Sequence, residues 1–137
     1  MIDFLGYNFS MDDQEFENLV HEAIDSLPKE FLAKMENVAV VIEDWPNQHQ
    51  IEKLRQKNQG GLILGLYEGV PQTKRGNYGV GPTLPDKITI FKQPLFSISN
   101  TIDQLTKNVK NTVIHEIAHH FGLNDEDIKK TKNRQKK

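Results

Sequence analysis

Phe16, Leu19, Val20, Ala23, Ile24 and Leu27 recur at spacings of three and four, which places them on one face of a helix. Ser10 stands at an N-cap position ahead of them, with Asp13 at the third helical position. This predicts an amphipathic helix that packs its apolar face on the core. Pro28 then opens a short second helix, "PKEFLAKME". "VAVVIED" is β-branched and continuously apolar, so it predicts a strand buried on both faces. "NQHQIEKLRQKNQ" is polar and reads as a short helix or a loop. "GGLILGLYEG" predicts a second strand after a glycine turn, and "VPQTKRGNYGVGPTLPD" a long irregular loop or loose hairpin. "KITIFKQPL" alternates apolar and polar residues, so it predicts a third strand with one face on the core, one in solvent and Pro94 near its end.

A long final helix begins near Asn100, with Asp103 at its third position. Ile102, Leu105, Val109, Val113, Ile117 and Phe121 form its apolar stripe, and Gly122 is its natural C-cap. The order of elements predicts an α+β domain, a small sheet of three or four strands backed by helices. No internal repeat or dividing linker interrupts it.

The 137 residues suit one domain, and 36 % hydrophobic with 26 % charged residues can sustain a core. With no cysteine, disulfides, thiol nucleophiles and cysteine-based zinc sites are excluded. The N-terminus lacks a basic segment followed by an apolar one, and the longest apolar run, Val38 to Ile42, is far short of a bilayer span. We therefore expect a cytoplasmic protein without membrane association. The tail "KKTKNRQKK" (129–137) holds six of the 17 Lys and Arg, leaving residues 1–128 with 11 basic and 19 acidic side chains, a net −8. An acidic body does not favour nucleic acid as partner. The expected organisation is one domain over residues 1–128 followed by a basic flexible tail over 129–137.

Three of the five histidines fall in "HEIAHHFGLND" (115–125), on the last turns of the predicted final helix. Residues four apart share a helical face, so His115 and His119 present imidazoles side by side, as a zinc ion needs. Glu116 leans to the side of that pair, where it suits a general base acting on a water at the metal. Catalytic zinc takes three protein ligands. After Gly122 reverses the chain, Asp125 can swing back and complete a His, His, Asp set. H-E-x-x-H alone arises by chance about once per hundred chains of this composition; adding Gly122 and Asp125 brings that below roughly one in ten thousand, so coincidence is set aside. His120 points about a hundred degrees from His119 and reads as a supporting or surface group, not a ligand. His21 and His49 read as surface residues.

The sequence resembles the short bacterial zincin-like metallopeptidases, sometimes called minimal zincins. "LGLYEGVPQTKRG" (64–76) resembles their strand and loop upstream of the site. "LPDKITIFKQPL" (84–95) resembles the strand before the active-site helix, and "HEIAHHFGLND" the metal motif. The resemblance implies a single zincin-like domain, one zinc ion per chain at His115, His119 and Asp125, Glu116 as base, and a peptide or protein substrate. The chain departs from larger zincins. Its methionines lie at 1, 11 and 35, so no methionine turn follows the motif, and no later helix supplies a glutamate ligand. Glu126 is a second choice to Asp125. The oxyanion stabiliser is not identifiable; Tyr67, Tyr78 and His120 are the candidates. A substrate strand could pair near Gly76 to Gly81. The rival expectation is a zinc-binding interaction module with little or no peptidase activity, motivated by the short tail after the motif.

Overall fold

The computed structural model describes residues 11–56, 63–69 and 85–122. Its first helix, α1 (Asp13–Asp25), is capped by Asp12 and not by Ser10, which lies outside the described residues. Asp12 Oδ1 accepts from Glu15 N at 2.8 Å, and Glu15 Oε1 accepts from Asp12 N at 3.4 Å. This reciprocal pair satisfies two helix-end donors, which explains where the helix starts. All six apolar-face residues from Phe16 to Leu27 are buried as the spacing predicts. Helix α2 (Lys29–Lys34) follows Pro28 and is shorter than its sequence suggests. Met35 caps its C-terminal end, and Asn37 turns the chain into the next strand with a left-handed backbone, φ 58°, a conformation asparagine tolerates.

Strand β1 (Val38–Glu43) pairs in parallel with β3 (Asp86–Phe91), Val38 opposite Asp86 through Glu43 opposite Phe91. Strand β2 (Gly65–Glu68) pairs antiparallel with β3, Gly65 opposite Ile90 and Glu68 opposite Lys87. The order is β1-β3-β2, so β3 is central. Two strand expectations are thereby corrected. No residue of β1 is fully buried, because it lies at the edge of the described sheet; β3 is buried on both faces, because it lies at the centre. The segment after β3 is also not strand. It forms helix α4 (Lys92–Ser97), with Pro94 at its third position. A first-turn residue has no intrahelical acceptor for its N–H, so proline is tolerated there.

The polar middle segment resolves to helix α3 (Gln48–Gln56). Asn47 Oδ1 accepts from Gln50 N, and Gln50 Oε1 from Asn47 N, each at 2.8 Å. Helix α5 (Ile102–His120) is capped by Thr101, whose hydroxyl accepts from Gln104 N at 3.1 Å, one residue later than Asn100. Leu105, Val109, Val113 and Ile117 of α5 join the α1 face, Ile88, Ile90 and Tyr67 in the main core. Ile102 does not; at 52 % exposure in the first turn it lies outside the stripe. Leu66 and Phe91 form a second small core on the other face of the sheet. The described architecture is α+β, a three-stranded mixed sheet with five helices.

Glu68 points to that second face. Its Oε2 is 2.6 Å from Lys53 Nζ on α3, and its Oε1 is 3.7 Å from Lys87 Nζ. Burial pushes its carboxyl up. The Lys53 hydrogen bond and the charges of Lys53, Lys87 and His49 outweigh that and hold it below the ordinary glutamate value. The unfolded chain therefore binds this proton more readily than the folded one. The pair's stabilisation is complete above the ordinary glutamate value and is lost as pH falls from there through the lowered folded value. Thermal melts across that acid range should fall more steeply for wild type than for Glu68→Gln. Parallel curves for the two would show that Glu68 contributes nothing to the acid limb.

Candidate metal centre on helix α5

Two helical faces divide the work in the last turns of α5. Thr112, Glu116 and His120 are four apart and face β2, with His120 exposed at the end of the row; His115 and His119 are four apart and both exposed. Four helical residues rise about 6.0 Å and two strand residues about 6.8 Å, so a helix running beside a strand keeps step with it. Thr112 lies against Gly65, Glu116 against Tyr67, and His120 against both Tyr67 and Gly69.

The seam is close at both ends, tightest at Gly65, while at Gly69 an added side chain would displace the His120 ring. A Cβ on Gly65 would meet Thr112 Cγ2 at 2.7 Å and the Thr89 carbonyl at 3.1 Å; one on Gly69 would meet His120 Cε1 at 2.9 Å. Between them, Tyr67 N donates to Glu116 Oε1 at 2.9 Å. The sequence places Glu116 beside the histidine pair, and the structure shows which side. It is half-buried in the seam, its carboxylate held by the backbone of β2.

Of the oxyanion candidates, Tyr67 is 3 % exposed and its hydroxyl donates to Asp86 Oδ2 at 2.6 Å. His120 is stacked on the Tyr67 ring, centroids 4.1 Å apart and 25° between planes, with its Nε2 3.8 Å from the same Asp86 oxygen. On the helix it falls in the row of Thr112 and Glu116, not in that of His115 and His119. Tyr78, the Gly76 to Gly81 strand, Asp125, Glu126 and the 129–137 tail lie outside the described residues. Phe121 is a correction. It is 43 % exposed and packs edge-on to Tyr67 and His120 under Lys34 Nζ, not in the core. Gly122 does turn the chain with a left-handed backbone, φ 72°. Asp86 and Gly69 are the supporting residues that sequence reading missed. Neither carries a local signal, since each matters only through a helix distant in sequence.

His115 and His119 fit two ligands of a zinc ion, being imidazoles one turn apart on an open face. Among the described residues no group of three potential metal ligands forms. No helix of the described residues is long and apolar enough to cross a membrane. No curated protein matches the sequence. A family model described as zincin-like metallopeptidase matches residues 35–134, well over half the chain and including the whole of the 115–125 motif. A match of that extent shows the family, and the chain belongs to the zincin-like metallopeptidases.

Proposed function

We propose that the chain hydrolyses peptide bonds in a peptide or protein substrate, with one zinc ion held by His115, His119 and Asp125 and with Glu116 as general base. Membership of the zincin-like metallopeptidases supports zinc-dependent peptidase chemistry in general. The observation that carries the finer reading is the split of α5 into two faces, the ligand pair His115 and His119 exposed and Glu116 held at their flank by Tyr67 N. Bound there, zinc supplies Lewis-acid polarisation of the scissile carbonyl and lowers the pKa of the attacking water. Glu116 accepts the proton of that water on a carboxylate oxygen as the water attacks the carbonyl carbon. It then delivers the proton to the amide nitrogen as the C–N bond breaks. Gly122 adopts a left-handed backbone, φ 72°, three residues before Asp125, which is compatible with a turn that would bring Asp125 toward the histidines.

Metal content tests the ligand set. Protein purified without chelator and measured by mass spectrometry should hold one zinc per chain. His115→Ala, His119→Ala and Asp125→Ala should each lose most of it, while His120→Ala keeps full stoichiometry at saturating zinc. Wild type that stays substoichiometric after zinc reconstitution would sink the reading. Full zinc with no cleavage of a broad peptide library would favour the binding-module alternative.

A further inference from the structure

We propose that Tyr67 is the positioning residue of the metal centre, acting with Asp86 and His120 to set the angle at which α5 presents His115 and His119. The inference rests on the zinc reading above. Glu116 and His120 are one turn apart on the helix, and both are held by Tyr67. Its backbone N–H binds the Glu116 carboxylate, and its ring carries the His120 imidazole. Tyr67 cannot itself drift. It lies in β2 opposite Ile88, its ring is buried, and its hydroxyl donates to Asp86 at the start of the central strand. Asp86 is fixed in turn, since its own N–H donates to the Asn37 carbonyl at 3.1 Å.

One aromatic residue thus links two strands to the final turn of the helix. The missing side chain at Gly69 leaves the room in which His120 can lie flat on the ring. His119 sits between these two anchored positions in sequence, and a helical turn is stiff. Holding 116 and 120 against β2 therefore fixes the direction in which 115 and 119 face outward. With its hydroxyl donated to Asp86, Tyr67 serves the centre by placement and not as an oxyanion donor. Metal centres respond to such placement, and outer supporting residues are typically worth 10–100-fold in metal affinity.

The experiment uses metal-free full-length protein and Co²⁺ as the probe, following affinity and the visible absorption of the bound ion. Amide exchange of residues 116–121 is measured in the same metal-free samples. Tyr67→Phe removes the hydroxyl's bond to Asp86 and keeps the ring. It should bind Co²⁺ about tenfold more weakly, shift its absorption bands, and exchange the last helical turn about tenfold faster. Gly69→Ala should do the same by pushing His120 off the ring, and it carries the test if Tyr67→Phe fails to fold. Asp12→Ala, which removes the side-chain cap of α1 and so lowers stability without touching Tyr67, Asp86 or His120, should leave affinity and absorption unchanged. Wild-type Co²⁺ affinity and absorption in both Tyr67→Phe and Gly69→Ala overturn the proposal, whatever their melting temperatures. Wild type that takes up no Co²⁺ overturns the zinc reading and this inference with it.

Discussion

Glu116→Gln should lower peptide hydrolysis by a factor on the order of 10²–10⁴, the usual worth of a positioned base, while leaving zinc and fold intact. The structure makes this substitution cleaner than the motif alone suggests. The carboxylate accepts a hydrogen bond from Tyr67 N, and the glutamine carbonyl can accept the same bond. The helix–strand seam therefore survives, and only the proton acceptor is lost. Glu116→Ala is different. It removes the acceptor from a backbone N–H in a half-buried seam, a loss of about 1–3 kcal/mol that adds a stability defect to the activity defect. Paired measurements of zinc content, melting temperature and cleavage on both variants separate the roles. If Glu116→Gln empties the metal site as readily as Asp125→Ala, Glu116 is a ligand and the base assignment is wrong. If it melts as low as Glu116→Ala, the Tyr67 contact is not what holds the seam.

Phe16→Ala should be among the most damaging core substitutions, at about 3–5 kcal/mol. Phe16 is fully buried on α1 and meets Phe96 of α4 edge to face, with centroids 5.5 Å apart and planes at 85°. Its removal deletes both the transfer energy of a large side chain and an aromatic contact shared by two helices. Against a typical total of about 5–15 kcal/mol, that is a large share. The melting temperature should fall by on the order of 10–15 °C in a chain of this size. Ile102→Ala is the matching control. The periodicity assigns Ile102 to the α5 stripe, but it is more than half exposed, so its loss should stay within about 0.5 kcal/mol. A small effect at Phe16, or a large one at Ile102, would mean that the packing described here is wrong.

The sequence by itself determined the local features of this protein. The α1 face is legible because every apolar residue from Phe16 to Leu27 obeys one helical period, and all of them are buried. The pairing of His115 with His119 is legible for the same reason, since i and i+4 share a face in any helix. Gly122 announces the end of α5 because few other residues adopt its positive φ cheaply. The α+β class follows from the order of such elements, and the zincin-like family from the motif at the end of the last one.

Only the tertiary structure decided the rest. A short apolar run reads alike in a central and an edge strand, so "VAVVIED" and "KITIF" exchange their expected burial once β3 is seen to lie between β1 and β2. Pro94 reads as a strand end until the first turn of α4 gives it a place where a missing N–H costs nothing. The seam at the metal centre was hidden most completely. Tyr67 meets Asp86 across 19 residues of sequence and Glu116 across 49. Periodicity describes a residue's neighbours along its own element. Which strand that element is laid beside, and in what step, is set by sheet order and by the close approach that Gly65 and Gly69 permit.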